Sequence, residues 1–169
     1  METGDSKNRV KELTHDVLIF GAGLAGLRAA LAISQQLKDS ARIGIISKVQ
    51  LNRPHSVCAE GGTAAVLRKD EGDNLELHAW DTIKGSDFLA DQDVVFEFVE
   101  RCPKEIVLLD HWGMPWSRQE DGRILQRPFG GHSFPRATLA ADKTGFFEVQ
   151  TLCDTLLKYQ NILSVSLVF

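Results

Sequence analysis

With 169 residues, 43% of them hydrophobic and 25% charged, the chain has the length and composition of a single globular domain of ordinary size. Its net charge of −4 and pI of about 5.7, with Lys and Arg scattered and forming no basic stripe, argue against a nucleic-acid partner. The longest apolar stretch, residues 17–33, is interrupted by three glycines and Arg28, so it reads as a buried strand and helix and direct membrane insertion is not expected.

Residues 1–15 are polar and charged and lack the apolar run of a secretory signal. The segment 1–14 is expected to be flexible, with a domain occupying 15–169. Four apolar residues, Val17 to Phe20, then run into Gly21-Ala22-Gly23-Leu24-Ala25-Gly26, a G-x-G-x-x-G string. Beyond it Leu27, Ala30, Leu31 and Ile33 recur at helical spacing, with Arg28 expected to face away. Strand, tight turn and helix in this order form the dinucleotide-binding fingerprint. Gly21 permits the turn, Gly23 lets the backbone approach a pyrophosphate, and Gly26 lets helix pack closely on strand. The helix start offers free N–H groups and a positive dipole end to the phosphates. Ala22 and Ala25 complete the loop.

A second strand is predicted over 42–46. It ends about 20 residues beyond the glycines, where an NAD-binding unit carries an acidic residue for the ribose. Here the chain has Ser47-Lys48. A hydroxyl and an ammonium can bond ribose and adenine, and the departure favours FAD over NAD. A second glycine-rich element follows, Arg53-Pro54-His55-Ser56-Val57-Cys58-Ala59-Glu60-Gly61-Gly62-Thr63, whose glycines allow main chain to approach a flat ligand closely.

Further along, 76–84 reads as a helix ending at Gly85. Asp91-Gln92-Asp93 caps another with Val94, Val95, Phe98 and Val99 apolar, and Pro103 opens a third that Gly113 closes. Asp121-Gly122 signals a hairpin within 118–127. Thr144-Gly145 starts an amphipathic helix with Phe147, Leu152, Leu156 and Leu157 apolar, and 162–169 forms a last strand. The alternation of β and α elements predicts an α/β fold with a parallel sheet. Cys58, Cys102 and Cys153 lie far apart, which argues against a metal or iron–sulfur site and for a reducing compartment. His15, His78, His111 and His132 show no ligand spacing.

From His15 to about Asn161 the chain resembles the N-terminal part of the flavoprotein subunit of succinate dehydrogenase and fumarate reductase. The match is carried by the glycine string with Leu27-Arg28-Ala29-Ala30, by Ile46-Ser47-Lys48-Val49 and by His55 to Gly62. Trp112 to Arg118, Arg127 to Gly131 and Ala140 to Phe146 extend it. The resemblance implies a Rossmann-like FAD-binding domain, incomplete at the C-terminus, with FAD joined covalently to the His55 ring through its 8α-methyl. A neutral imidazole nitrogen is a suitable nucleophile near pH 7. Where the family usually writes Arg-Ser-His-Thr, this chain has Arg53-Pro54-His55-Ser56, so a hydroxyl and a backbone donor are missing.

By the same resemblance His55, Ser56, Glu60, Gly61, Gly62 and Thr63 line the flavin, and Gly21, Ala22, Gly23, Ala25, Gly26, Ser47 and Lys48 hold the rest of FAD. Trp116 comes near the dicarboxylate, or else is a core aromatic. Glu60 and Trp116 lean towards the reductase direction. The parent enzyme interconverts succinate and fumarate and passes electrons to an iron–sulfur subunit and quinone. It sits peripherally, with membrane-anchor subunits, on the cytoplasmic face of the inner or plasma membrane. The residues that clamp and protonate the substrate would lie beyond Phe169, so this stretch alone is expected to be inactive. An L-aspartate oxidase-type flavoenzyme, which lacks a covalent histidine, and a non-catalytic FAD-binding or assembly module are the alternatives.

Overall fold

A computed structural model describes residues 12–166, with side chains to Leu163. Residues 1–11 of the expected flexible segment and 167–169 of the expected last strand lie outside the described residues.

The first strand, β1 (Val17–Phe20), leads through the glycine turn into helix α1 (Leu24–Leu37), and β2 (Ile43–Ser47) follows. Helices α2 (Leu75–Gly85) and α3 (Gln92–His111) come next, then α4 (Thr144–Leu156) and the final strand β6 (Ile162–Ser166). β1, β2 and β6 make a parallel sheet in the order β1-β2-β6, with Val17 opposite Ile43 and Ile43 opposite Ile162. Parallel strands need crossovers, and α1 and α4 provide helices against one face. Leu27, Ala30 and Leu31 of α1 meet Ile43 and Ile45 of β2 and Val149, Leu152 and Leu156 of α4 in a single core cluster. Each large aliphatic side chain buried there contributes roughly 1.5–3 kcal/mol. The expected parallel α/β architecture is the one observed.

A second sheet has no counterpart in the sequence expectations. β3 (Thr63–Ala64), β4 (Gln126–Arg127) and β5 (Ala137–Thr138) pair antiparallel in the order β3-β5-β4. The hairpin signalled by Asp121-Gly122 is present next to it: Gly122 has φ 82°, and Arg118 bridges Ile124.

Several helix expectations need correction. Pro103 does not open a third helix but lies inside α3, which runs unbroken for 20 residues. Val95, Val99, Cys102 and Ile106 form one buried stripe through the proline, so packing of that stripe outweighs the backbone hydrogen bond Pro103 cannot donate. Of the four apolar positions Val95 and Val99 are buried, whereas Val94 and Phe98 are 60% and 50% exposed. Arg28 does not face away either: its Nε and Nη2 donate to Glu105 at 2.7 and 2.9 Å, and its guanidinium lies 5.6 Å from the Trp112 ring centroid, tying α1 to α3. Leu157 ends up outside α4 and exposed.

Asp73, Asp81 and Arg136 form a charged cluster beneath the second sheet. Arg136 is fully buried; its Nε donates to both Asp73 oxygens at 3.0 Å, its Nη2 to Asp73 at 2.6 Å and its Nη1 to Asp81 at 2.5 Å. Burial alone would raise the Asp81 carboxyl, but the Ser133 hydroxyl and backbone N–H, together with Arg136, outweigh it and hold the group below its ordinary value. His78 is buried beside this cluster, its ring 6.0 Å from that of His132. Burial first, then the charges of Arg136 and His132, push His78 down to about 4 against the partial opposition of Asp73 and Asp81.

A histidine held neutral in the folded state while the unfolded chain binds a proton loses stability as pH falls from about 6.5 towards 4. The loss from His78 should reach up to roughly 3 kcal/mol, since each pKa unit is about 1.36 kcal/mol. Denaturant unfolding at pH 7 and pH 4.5 checks this. The midpoint difference should shrink in His78→Phe, and an unchanged difference would show that His78 does not carry the acid sensitivity.

Candidate cofactor site

All of the predicted phosphate-loop and strand-end residues lie at the carboxyl edge of the parallel sheet, where open α/β sheets bind ligands. Gly21 has φ 109°, a conformation that side chains rarely adopt, and its N–H donates to the Ile46 carbonyl at 2.8 Å, fastening the turn to β2. A Cβ on Gly26 would lie 2.0 Å from the Gly21 carbonyl oxygen and 3.4 Å from Ile19, so close approach of helix to turn and strand requires glycine. Gly23 is the N-cap of α1 and supplies no side-chain bond to the first turn, where helix N–H groups can meet an anion. Ala22 is buried in the core under the turn and Ala25 is exposed on the first turn of α1.

Ser47 is 5% exposed at the end of β2, and its hydroxyl accepts the Val49 N–H at 3.4 Å. Lys48 is exposed and, with Val49, Gln50 and Arg53, lines a cleft of about 350 Å³. Two cationic side chains at this cleft suit the phosphate and ribose end of a dinucleotide.

His55 opens a short 3-10 turn, His55–Cys58, capped by Pro54. The departure at Pro54 is accommodated: it is buried with φ −72°, the value its ring imposes, and its carbonyl accepts the Val57 N–H at 3.1 Å. The turn crosses the start of α1, where Ser56 Oγ accepts the Leu24 N–H at 3.3 Å and would lie 3.2 Å from a Cβ on Gly23. His55 is exposed beside it. The two glycine-rich elements, about thirty residues apart in sequence, are thus brought into contact.

Downstream of His55 the chain passes Glu60, which is exposed, to half-buried Gly61, Gly62 and Thr63. Gly62 has φ 95°, and a Cβ there would lie 2.4 Å from the Thr138 carbonyl oxygen. Arg127 Nη2 donates to the Gly61 carbonyl at 3.3 Å, and Thr138 Oγ1 to the Thr63 carbonyl at 2.6 Å. Trp116 is 4% exposed, packed in a cluster with Ala65, Cys102, Ile106, Met114 and Ala140, and its buried indole nitrogen has no hydrogen-bond partner. Its surroundings are those of a core aromatic.

Three contributors to the site are not among the residues expected to hold FAD. Gly145, at the start of α4, donates its N–H to the Ala59 carbonyl at 2.7 Å; a Cβ on it would lie 2.1 Å from the Ser56 carbonyl oxygen. Arg127 appeared only inside a matching string. Glu148 is 4% exposed and accepts the Thr63 hydroxyl at 2.5 Å. A signal for Glu148 exists: it falls four residues before Leu152 and eight before Leu156, a carboxyl on the apolar stripe of a helix.

A parallel βαβ unit with a glycine-rich turn at a helix start, covered by a second glycine-rich loop, defines a dinucleotide-binding α/β domain. Residues 16–168 match the FAD binding domain family, and the chain belongs to that family. It is 50% identical over 149 residues to the fumarate reductase flavoprotein subunit of Mycobacterium tuberculosis (strain CDC 1551 / Oshkosh), covering 88% of this chain and 25% of that protein. With the succinate dehydrogenase flavoprotein subunit of Coxiella burnetii it shares 45% identity over 154 residues, 87% of this chain and 26% of the relative. The quinol fumarate reductase of Escherichia coli superposes with a TM-score of 0.88 at 46% identity, over 93% of this chain and 26% of that one. The chain spans about a quarter of the length of the curated relatives it matches. Among the described residues no helix is long and apolar enough to cross a membrane.

Proposed function

We propose that this chain holds FAD within the flavoprotein subunit of a succinate dehydrogenase or fumarate reductase, with the cofactor attached covalently at His55. When bound, FAD supplies the hydride and electron chemistry that interconverts succinate and fumarate. The residues of this chain bind and orient it. The start of α1 and the Gly21–Gly26 turn take the pyrophosphate, Ser47 and Lys48 the adenosine end, and Ser56 and Glu60 to Thr63 the flavin. Trp116 acts as packing beneath the site. In the complete protein, electrons pass to an iron–sulfur subunit and quinone, and membrane-anchor subunits hold the assembly on the cytoplasmic face of the membrane.

One observation carries the reading. The Leu24 N–H, at the helix start where a dinucleotide phosphate binds, bonds the hydroxyl of the residue next to His55. The bond keeps the turn that carries His55 next to the helix start, which supports attachment of the bound cofactor at that histidine.

Acid precipitation of the complete, mature holoprotein is expected to leave flavin in the pellet. A pellet free of flavin sinks covalent attachment. His55→Ser should still bind FAD but lose succinate oxidation more than fumarate reduction, because the covalent link raises the flavin potential. Equal loss in both directions would count against that account.

A further inference from the structure

The stretch from Ala59 to Thr63 is fastened at both ends to the same helix. At one end the Gly145 N–H of α4 donates to the Ala59 carbonyl at 2.7 Å. At the other, one turn along α4, Glu148 Oε1 accepts the Thr63 hydroxyl at 2.5 Å. Between these ties Glu60, Gly61 and Gly62 form an arch with no other support from α4. Its inner side is fixed by the Thr138 carbonyl oxygen, against which Gly62 leaves no room for a side chain. The Glu148 tie is the unusual one. A carboxyl this deeply buried is costly in an apolar helix–sheet interface unless it is hydrogen-bonded, and an apolar residue on the stripe with Leu152 and Leu156 would fill the place without that cost. Burial accordingly raises the Glu148 carboxyl above its ordinary value, with the Thr63 hydroxyl pulling it partway back.

We infer that Glu148 is a positioning residue for FAD, holding the Glu60-Gly61-Gly62 arch at the height at which its main chain meets the flavin, through its hydrogen bond to Thr63. The inference rests on the proposed FAD site. Glu148 itself touches no cofactor: it fixes Thr63, and Thr63 fixes the arch. A hydrogen bond of this kind contributes about 1 kcal/mol or more, and removing one partner leaves the other unsatisfied, which together correspond to roughly a tenfold change in binding.

The test uses the complete protein carrying His55→Ser, in which bound FAD exchanges and its Kd can be measured by quenching of flavin fluorescence. Adding Glu148→Leu should raise the Kd for FAD roughly tenfold, whereas Glu148→Gln, whose amide oxygen still accepts the Thr63 hydroxyl, should stay within about threefold of the parent. Thr63→Val removes the same bond from the other side, should match Glu148→Leu, and serves if that variant does not fold. Measurements well below each variant's unfolding temperature separate positioning from stability, because a merely structural Glu148 would lower Tm and leave the Kd alone. A Kd unchanged in both Glu148→Leu and Thr63→Val overturns the inference while leaving the FAD site standing. Failure of the His55→Ser parent to bind FAD overturns the site and the inference with it.

Discussion

Replacing Arg136 by Met is expected to destabilise the protein by roughly 3–5 kcal/mol, the largest stability effect of any single side chain described above. The guanidinium, Asp73 and Asp81 are all nearly inaccessible to water, with side-chain exposures of 0%, 1% and 4%. One cation serves two carboxylates, so removing it strands two negative charges where water cannot reach them. The cluster also joins segments far apart in sequence: Asp73 precedes α2, Asp81 lies on α2, and Arg136 enters β5. Its loss should therefore loosen the antiparallel sheet from α2. Urea unfolding with an unchanged slope gives the measure. The triple variant Arg136→Met, Asp73→Asn, Asp81→Asn should recover part of the loss, since it removes the stranded charges. A single variant within 1 kcal/mol of the parent would mean the cluster is not holding these segments together.

The second large effect is expected at Gly145. An added methyl would come 2.1 Å from the Ser56 carbonyl oxygen and 2.9 Å from both Cβ and the carbonyl oxygen of Ala59. Two of these three neighbours are backbone atoms, so relief requires the 3-10 turn and α4 to separate. Overpacking of this kind typically costs 1–3 kcal/mol. The cost falls on the turn that carries His55 and on the Ser56 hydroxyl bonded to Leu24. Gly145→Ala should therefore cut covalent flavin per protein by about tenfold, a change that 1.4 kcal/mol produces. Gly85→Ala, where nothing lies within 4 Å of the added carbon, should leave it unchanged. Full flavin content in Gly145→Ala would show that the turn tolerates displacement from α4.

The sequence-legible part of the fold is the part made by near neighbours. β1, the glycine turn, α1 and β2 follow one another within residues 17–47, each with its own period and its own punctuation. Pro103 misleads because a proline is a local signal, whereas the stripe from Val95 to Ile106 that carries α3 through it extends over about three turns. The antiparallel sheet was invisible because strands of two residues have no period. Arg136 and its carboxylates were invisible because their pairing spans more than fifty residues and nothing at Arg136 itself marks it as buried. In the site, the glycine loops and His55 were readable from residue type and order. Their contact through Ser56, and the two ties from α4, depend on how the crossover returns the chain to the sheet.

β2 lies in the middle of the parallel sheet, and its two flanks are filled at very different times. Val17 to Phe20 are already made when residues 43–47 emerge, but Ile162 to Ser166, which pair with the other flank, are translated more than one hundred residues later. Such long-range parallel pairing is slow and pays its loop-closure cost before any contact repays it. During synthesis β2 therefore waits with one flank unpaired, and α4, which precedes β6 in the chain, can dock on the His55 turn at about the time β6 pairs with β2. Flavin capture is thus expected to wait until α4 and β6 have both emerged.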